Sequence, residues 1–288
     1  MKHKPNFSYD DLLVVLVLYQ EVLEKCNSFI TLAKTERDGQ NLDLVVYDNS
    51  PIPQERPEKF QVEGVNVRYI SDTENPGIGK AYNRAVEIAR QQNKKWLLFL
   101  DQDTGISSET ISLFMKKINE ELDIAVFATT LFGSDGRLIS PSRYRFKRGF
   151  SLAEIQEGRH ELKNIRPINS LLMLSLHVFD TVGGYNEKIK LDFSDHEFLG
   201  RVQQTFKEMY VVPAINTHSL STSDDTNEKR IRTRFKIFCK GAHVAAGSNF
   251  ADGVQYFIVC FLRAVKLNLR FRTFFFTSTL FKEWSSAI

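Results

Sequence analysis

Two aspartates, Asp101 and Asp103, flank Gln102 directly after a short apolar run at residues 96–100. A run of this length predicts a buried strand, and in an open α/β sheet ligands bind beyond the carboxyl ends of the strands. Alternate residues of an extended chain point to the same side, so these two carboxylates can share one divalent cation or its water shell. The alternative is a solvated acidic turn that leads into a helix.

Two further aspartates lie at the ends of other predicted strands. Asp48 follows the apolar run at residues 42–47, and Asp72 follows the run at residues 65–70. Each alone would be an ordinary turn residue. At the shared edge of one sheet they predict a nucleotide site, in which one carboxylate accepts hydrogen bonds from the base or ribose and others hold a metal on the diphosphate.

The elements that would position these residues alternate between strand and helix patterns, which favours a parallel sheet with crossover helices. In the first half, strands are predicted at residues 12–19, 42–47, 65–70, 96–100 and 124–130, and helices at residues 22–33, 78–92 and, with Ser107 or Ser108 as N-cap, up to 122. The later half predicts an edge hairpin or a phosphate-contacting loop at 143–150, strands at 168–175 and 209–212, helices at 176–182 and 195–206, and His218 in a polar loop. This arrangement is typical of nucleotide binding, but it names no reaction.

The segment NPGIGKAYNRA, residues 75–85, is rich in glycine and opens a predicted helix. It follows the third strand rather than the first and lacks the GxGxxG spacing, which argues against a dinucleotide fingerprint. Its glycines either let the backbone approach a ligand, with Lys80 or Arg84 near an anion, or form a simple helix-entry turn.

Length and composition indicate a globular protein. The 288 residues can bury one sizeable core, which predicts one large domain or a domain with an appendage. The three cysteines stand far apart, which argues against a disulfide framework or a structural zinc site and favours a reducing cytosol. We expect no signal peptide, no spanning helix and no nucleic-acid partner.

The charge divides the chain into two parts. Residues 226–288 contain 11 Lys/Arg and 3 Asp/Glu, whereas residues 1–225 carry a formal charge of −5. We therefore predict a catalytic domain at 1–225 and a basic, aromatic helical extension at 226–288. The extension suits a helix on an anionic membrane surface. The alternative is a helical appendage packed on the catalytic domain or on a second protomer, so a homo-oligomer stays possible.

Taken in order, the segments VLYQ, VVYDNS, NPGIGKAYN, LLFLDQDT, VGGYNE and LDFSDHEFLGR resemble the landmarks of family 2 inverting glycosyltransferases of GT-A fold. The resemblance covers roughly residues 10–222 and is greatest to the bacterial rhamnosyltransferase and galactofuranosyltransferase branch that builds surface polysaccharides. It implies an α/β fold, namely a GT-A Rossmann-like mixed sheet flanked by helices, with a C-terminal helical extension.

The resemblance implies a nucleoside site formed by four residues. Asp48 matches the carboxylate that meets the uracil or thymine base, and Asp72 and Asn75 match positions near the nucleoside. Tyr19 lies at the same corner, where the family more often has Tyr-Asn than the Tyr19-Gln20 found here.

The resemblance also implies a metal site that holds the donor diphosphate. Asp101, Gln102 and Asp103 match the DxD element, in which the second acid coordinates Mg2+ or Mn2+. His218 falls where related galactofuranosyltransferases supply a histidine to the metal; the alternative is a surface histidine. A cation there would take up the charge that develops on the leaving group.

The segment LDFSDHEFLGR implies the groups that act on the acceptor. Asp195 matches the general base that takes the proton from the acceptor hydroxyl, although it could instead be a helix N-cap. Glu197 matches a nearby acid that could raise the pKa of Asp195, and Arg201 matches the closing arginine of the motif. His196, between the two acids, is expected to be structural or to face the acceptor.

These expectations combine into one leading function. The chain is expected to be a metal-dependent glycosyltransferase that uses a UDP- or dTDP-sugar and a glycan or polyprenyl-diphosphate-linked acceptor at the inner face of the cytoplasmic membrane. One alternative is a sugar-phosphate nucleotidylyltransferase, which would need a glycine-rich basic loop where Tyr19-Gln20-Glu21 stands. The other is a non-catalytic module that binds nucleotides or glycans.

Overall fold

A computed structural model describes residues 6–54, 62–219 and 227–285. The expected boundary between residues 225 and 226 lies outside these ranges. The strands are β1 (Leu12–Leu18), β2 (Leu42–Asp48), β3 (Val65–Ser71), β4 (Trp96–Asp101), β5 (Thr104–Gly105), β6 (Val126–Phe132), β7 (Leu138–Ser140), β8 (Ser142–Arg145), β9 (Arg148–Phe150), β10 (Gly158–Glu161), β11 (Ile165–Arg166), β12 (Leu172–Ser175) and β13 (Glu208–His218). The helices are α1 (Asn27–Leu32), α2 (Ile78–Gln91), α3 (Thr110–Glu120), α4 (Leu176–Val182), α5 (Ser194–Thr205), α6 (Glu228–Ala246), α7 (Phe250–Phe271) and α8 (Phe275–Ser285).

The main sheet is mixed. Its strands run in the order β10-β13-β6-β12-β4-β1-β2-β3, and β5 and β7 pair at its margins. The strands β4, β1, β2 and β3 are parallel to one another, whereas β12 is antiparallel to both β4 and β6. The parallel arrangement predicted for the first half of the chain is confirmed for these four strands, and the sheet as a whole is mixed, as the resemblance implies.

The register of the parallel strands aligns their carboxyl ends. Leu18 of β1 lies opposite Asp48 of β2, and Asp48 lies opposite Ser71 of β3. On the other side of β1, Val17 lies opposite Asp101 of β4. The predicted acidic residues therefore meet at one edge of the sheet, as the strand ends suggest.

Both faces of the sheet are covered by apolar layers. The even residues of β1 pack with α1 and α3, and its odd residues Leu13 and Val15 pack with α2, α4 and α5. Because β1 is buried on both faces, its sequence is continuously apolar instead of alternating. The helices α6, α7 and α8 form a third cluster, which includes Phe193 from the segment before α5. Among the described residues, no helix is long and apolar enough to cross a membrane.

Several local predictions are confirmed and others need correction. The hairpin predicted at residues 143–150 is formed by β8 and β9, in a small sheet with β11. The helix predicted over residues 22–33 is instead a short 3-10 turn followed by α1. The polar loop predicted for His218 is wrong, because β13 extends through this residue and His218 is buried. After the buried run at residues 209–212, β13 alternates buried and exposed residues, so its second half lacks the continuous apolar run that marks the central strands.

Candidate active site

Three possible metal ligands converge at the carboxyl edge of the sheet. The side chains of Asp101, Asp103 and His218 each offer a ligand atom, and these atoms all lie within 4.8 Å of one another. Carboxylates suit Mg2+ and Mn2+, and an imidazole adds a ligand that favours a transition metal. The residues therefore fit the divalent cation that the resemblance implies.

A short ladder places the histidine beside the acidic turn. The strand β5 follows the turn directly and pairs with the end of β13, so Thr104 lies opposite His218 and Gly105 lies opposite Thr217. A Cβ on Gly105 would lie 2.3 Å from Oγ1 of Thr217, so only glycine permits this close pairing. The two ends of the site are thus joined by backbone hydrogen bonds between distant parts of the chain.

The glutamine between the two acids bonds to the neighbouring strand end. Oε1 of Gln102 accepts a hydrogen bond from the N–H of Tyr19 over 2.8 Å. Its carbonyl accepts from the N–H of Ser28 over 3.3 Å and from the thiol of Cys26 over 3.1 Å. Gln102 therefore fixes the acidic turn against the end of β1 and the start of α1, and the side chain of Tyr19 is exposed beside it.

Burial has the largest effect on the pKa values of Asp101 and His218. Burial, with the nearby charges of Asp103 and Asp195, raises the pKa of Asp101 to about 7. Burial lowers the pKa of His218, and the charge of Asp103 opposes this effect only in part. A neutral imidazole and two clustered carboxylates are the forms that bind a cation, and the cation would relieve the repulsion between the acids.

Asp48 is held at the end of β2 by donors from the protein. Its carboxylate accepts from the phenol of Tyr69 over 2.6 Å, from the N–H of Ser50 over 2.9 Å and from Nε2 of Gln54 over 3.4 Å. Burial and the bond to Asp48 raise the pKa of Tyr69 to about 12, so the phenol stays protonated and donates. The sequence analysis missed Tyr69; its place on a strand beside β2 was the available signal.

Asp72, directly after β3, is also held by partners from the protein. It accepts from the phenol of Tyr47 over 2.8 Å, and its carboxylate lies 3.5 Å from Nζ of Lys80. Burial acts to raise the pKa of Asp72, but the bonds from Tyr47 and the N–H of Glu74, together with Lys80, outweigh it and lower the pKa. Asn75 follows in the left-handed conformation, with φ of 47° and its N–H bonded to the carbonyl of Asp72 over 3.2 Å.

The glycine-rich segment after Asn75 contacts protein. Gly77 has φ of 106°, and a Cβ there would lie 2.6 Å from the carbonyl oxygen of Lys190. The N–H of Ile78 donates to the same carbonyl over 3.0 Å. The close approach at Gly77 is therefore to the segment that leads into α5, and it joins the start of α2 to the region of Asp195.

Asp195 lies in the first turn of α5, near the acidic turn. The N-cap is Phe193, with φ of 73°, so Asp195 is not the cap of this helix. Its Oδ1 accepts from the N–H of His196 over 2.7 Å. Its charge contributes to raising the pKa of Asp101, which places the two carboxylates within electrostatic reach of each other. The charge of Asp195 therefore acts on the group formed by Asp101, Asp103 and His218.

Glu197 and Arg201 are paired with each other. The guanidinium of Arg201 binds the Glu197 carboxylate through two bonds of 2.8 and 2.9 Å and donates to the carbonyl of Val182 over 2.6 Å. Arg201 compensates the negative charge of Glu197. The acid whose charge interacts with that of Asp195 is therefore Asp101. The pair ties α5 to the end of α4.

His196 packs under the β8–β9 hairpin. Its ring lies 4.8 Å from the ring of Tyr144, and its Nδ1 is buried without a hydrogen-bond partner. Burial lowers its pKa, so the ring is neutral. The carbonyl of His196 accepts from Nη1 of Arg166 over 2.9 Å, and Arg166 also stacks over Tyr144 at 3.7 Å. Arg166 is a buried cation beside Asp195, and the sequence analysis missed it because its neighbours are distant in sequence.

The C-terminal helices fix the segment that precedes Asp195. Phe193 lies 4.6 Å from Phe238 of α6 and 5.3 Å from Tyr256 of α7, measured between ring centroids. Oδ1 of Asp192 lies 3.6 Å from Nη2 of Arg234 and 3.8 Å from Nη1 of Arg263. These contacts favour the alternative in which the extension packs on the catalytic domain, and they give the extension a part in positioning α5.

Comparison with known proteins shows that the chain is similar to glycosyltransferases. The family model described as "Glycosyl transferase family 2" matches residues 14–177. The chain is 27% identical over 209 residues to the dTDP-rhamnosyl transferase RfbF of Shigella flexneri, covering 71% of this chain and 67% of the relative. It is 22% identical over 261 residues to the low-salt glycan biosynthesis hexosyltransferase Agl10 of Haloferax volcanii, covering 82% and 81% of the two chains.

The fold is also shared with a solved structure. The S. aureus TarS 1-349 structure in complex with UDP-GlcNAc matches with a TM-score of 0.56 at 16% identity, covering 88% of this chain and 71% of that one. This likeness shows the fold. Since the family model spans more than half of the sequence, the chain belongs to glycosyl transferase family 2 and is a hexosyltransferase of GT-A fold.

Proposed function

We propose that the chain is a metal-dependent inverting glycosyltransferase that moves a sugar from a UDP- or dTDP-sugar to a glycan or lipid-linked acceptor. The observation that carries the proposal is the group of Asp101, Asp103 and His218, whose ligand atoms all lie within 4.8 Å of one another. An inverting displacement needs stabilisation of the leaving group at one end and a base at the other.

The donor diphosphate is assigned to the group of three possible metal ligands at the acidic turn. Asp101, Asp103 and His218 would hold a Mg2+ or Mn2+ ion, which supplies positive charge to the diphosphate as it leaves. Gln102 acts indirectly in this assignment, since its side chain bonds the N–H of Tyr19 and keeps the acidic turn in place.

The nucleoside is assigned to the neighbouring strand ends. Tyr19, Asp48, Asp72 and Asn75 lie along the edge formed by β1, β2 and β3, next to the acidic turn. Tyr69 holds the carboxylate of Asp48 in one orientation, which lowers the cost of ordering it when a base binds.

Asp195 is assigned as the base. It lies in the first turn of α5, directly after the residue that begins this helix. Arg166 and the Phe193 contacts hold the turn that carries it. In this role Asp195 Oδ takes the proton of the acceptor hydroxyl while the hydroxyl oxygen bonds to the anomeric carbon and the bond from that carbon to the donor diphosphate breaks. His196, beneath the hairpin, is assigned to the acceptor side, and the Glu197–Arg201 pair supports the helix.

The relatives guide the choice of donor and acceptor. RfbF is named a dTDP-rhamnosyl transferase, and the TarS structure contains UDP-GlcNAc. We therefore place dTDP-rhamnose first among the donors, with galactofuranose and similar sugars on UDP as the next candidates. The acceptor would be a growing cell-surface polysaccharide, such as O-antigen or capsule, on a polyprenyl diphosphate carrier at the inner face of the cytoplasmic membrane.

A thermal-shift screen tests the proposal and identifies the donor. The full chain is melted with a panel of UDP- and dTDP-sugars, each with and without Mn2+. A nucleotide sugar should raise the melting temperature only when Mn2+ is present, and Asp103→Ala should abolish that increment. The exposed acid Glu36 supplies the matched control, Glu36→Ala. Equal shifts with and without Mn2+, or in the Asp103→Ala variant, would contradict the metal-dependent site.

A further inference from the structure

An apolar stripe runs along the exposed side of α7. The residues recur every three or four positions, so they share one face of the helix. All are large or branched, and their exposures range from 36% for Val265 to 77% for Leu269. The stripe comprises Val254, Ile258, Phe261, Leu262, Val265 and Leu269.

The stripe is additional to the side of α7 that packs on the protein. Tyr256, Cys260, Ala264 and Leu267 are buried in the cluster with α6 and α8. A helix with only one partner surface needs a single apolar face, and its opposite side is normally polar. The second apolar face of α7 therefore needs an explanation beyond folding of this chain.

The apolar surface continues onto the two neighbouring elements. A groove of about 210 Å³ between the β8–β9 hairpin and α7 is lined by Phe146, Phe150, Ile258 and Leu262, among others. On the other side of α7, Phe257 lies 5.8 Å from the exposed Phe281 of α8. We call the stripe, the two hairpin phenylalanines and Phe281 the α7 face.

Cations border the α7 face. On the hairpin, the guanidinium groups of Arg145 and Arg148 lie over the rings of Phe146 and Phe150, at 4.6 and 5.7 Å from their centroids. Exposed cations also follow the stripe at Lys266, Arg270 and Arg272. The helix α7 contains one acid, Asp252, whose carboxylate lies 2.7 Å from Nζ of Lys147.

We propose that the α7 face docks on the surface of a bilayer that contains anionic lipid. Phenylalanine, isoleucine and leucine side chains would enter the boundary between headgroups and acyl chains, while the bordering lysine and arginines reach the lipid phosphates. A second copy of the chain is a poorer occupant, because it would bring two cationic borders together, whereas anionic headgroups complement them. In the docked state, the axis of α7 would lie in the plane of the membrane surface.

Docking would also orient the catalytic site. The hairpin that carries Phe146 and Phe150 covers His196, since a Cβ on Gly149 would lie 3.9 Å from Nε2 of that histidine. The side of the site next to Asp195 would then face the membrane, where a lipid-linked acceptor lies. This consequence rests on the proposed function; the docking itself does not.

Vesicle flotation of the full chain without donor tests the docking. We expect recovery with vesicles of phosphatidylcholine mixed with phosphatidylglycerol, and little recovery with phosphatidylcholine alone. Ile258→Ser with Leu262→Ser should weaken partitioning by at least about tenfold, because both side chains lose apolar burial in the bilayer. Leu122→Ser, at an exposed leucine in the turn after α3, is the matched control and should bind as the wild type.

A second pair of variants tests the cationic border. Lys266→Gln and Arg272→Gln should each weaken partitioning about fivefold, and added salt should reduce the difference from the wild type. Lys116→Gln, at an exposed lysine of α3, is the control. Absence of flotation, or equal flotation of all variants, would overturn the proposal. A dimer in sedimentation velocity would also overturn it, if Leu262→Ser dissociates the dimer and added vesicles do not. A failure of donor binding in the thermal-shift screen would leave flotation unchanged, so the two proposals fail separately.

Discussion

Nδ1 of His218 and Oγ1 of Thr104 lie 2.9 Å apart on two paired strands. The hydroxyl of Thr104 also lies 2.6 Å from Oγ of Ser170, so it is held by a second neighbour. Nδ1 of His218 also lies 3.5 Å from Oδ1 of Asp103, so the contact with Thr104 holds the imidazole beside the acidic turn. Thr104 therefore orients the histidine without being a ligand.

The first prediction concerns this orienting contact. Thr104→Val keeps the shape of the side chain but removes the hydroxyl, so we expect Mn2+ affinity to fall about tenfold. Titration calorimetry measures the change, and Thr279→Val, at a buried threonine on α8, is the control. An unchanged affinity for Mn2+ in Thr104→Val would mean that the histidine is not a ligand or needs no orientation.

The second prediction concerns the pH dependence of metal binding. The pKa of Asp101 is raised to about 7 in the metal-free protein, so below this pH the carboxyl is protonated and competes with the cation. Mn2+ affinity should therefore rise with pH through this range, by up to about tenfold per pH unit below the pKa, and level off above it.

Calorimetry in buffers of different ionisation enthalpy should also detect the proton that Asp101 releases when Mn2+ binds near its pKa. In Asp101→Asn the affinity should be lower and the pH dependence should disappear. A wild-type affinity that stays constant from one unit below to one unit above the pKa would contradict the assignment of Asp101 as a ligand.

The third prediction concerns the base. Asp195→Asn keeps the size of the side chain but cannot accept the proton, so transfer should fall by about 10²–10⁴-fold while donor binding is kept. The release of nucleoside diphosphate in the presence of acceptor gives the rate, and calorimetry gives the donor affinity. Asp38→Asn, at an exposed aspartate, is the control. Wild-type turnover by Asp195→Asn would remove this residue from the chemistry.

The fourth prediction concerns the phenol that bonds Asp48. Tyr69→Phe removes the 2.6 Å hydrogen bond but keeps the ring, so donor affinity should fall about threefold to tenfold as the carboxylate loses its fixed orientation. The rate at saturating donor should change little, since Tyr69 lies at the nucleoside end. Tyr9→Phe, far from this edge, tests whether any tyrosine replacement has the same effect.

The fifth prediction concerns Gly77 and uses a second glycine as its control. Gly77 and Gly136 both have positive φ, but a Cβ would contact the backbone of Lys190 only at Gly77 and would meet nothing within 4 Å at Gly136. Gly136→Ala should cost about 1–2 kcal/mol of unfolding free energy through φ alone, and Gly77→Ala should cost more. Denaturant unfolding gives both values, and equal costs would show that the segment around Lys190 moves away freely.

The residues with the strongest local signal were located from the sequence. Asp48, Asp72, Asp101 and Asp103 each follow an apolar run, and a run of that kind forms a buried strand whichever neighbours it pairs with. The edge on which these acids meet could therefore be predicted before the order of the strands was known. The helix that carries Asp195 was predicted with its start displaced by one residue.

Other parts of the site depend on pairing between distant segments. His218 was expected in a loop, yet its position is set by the pairing of β13 with β5, a strand of two residues that has no local pattern. Tyr69 and Arg166 gain their roles only from the neighbours that folding brings to them. The exposed stripe of α7 is visible as a periodicity, but only its packing on α6 and α8 tells which of the apolar faces of the helix is buried.

The sequence by itself thus determined the acidic edge of the sheet, because this edge follows from short-range patterns of apolar and acidic residues. The family and the residue assigned as the base came from the resemblance of its segments to family 2 glycosyltransferases. The tertiary structure decided which groups stand together. It placed a histidine beside the acidic turn, paired Glu197 with Arg201 and docked the C-terminal helices against Phe193. Strand pairing and side-chain packing act between residues far apart in the chain, so periodicity along the chain does not encode their outcome.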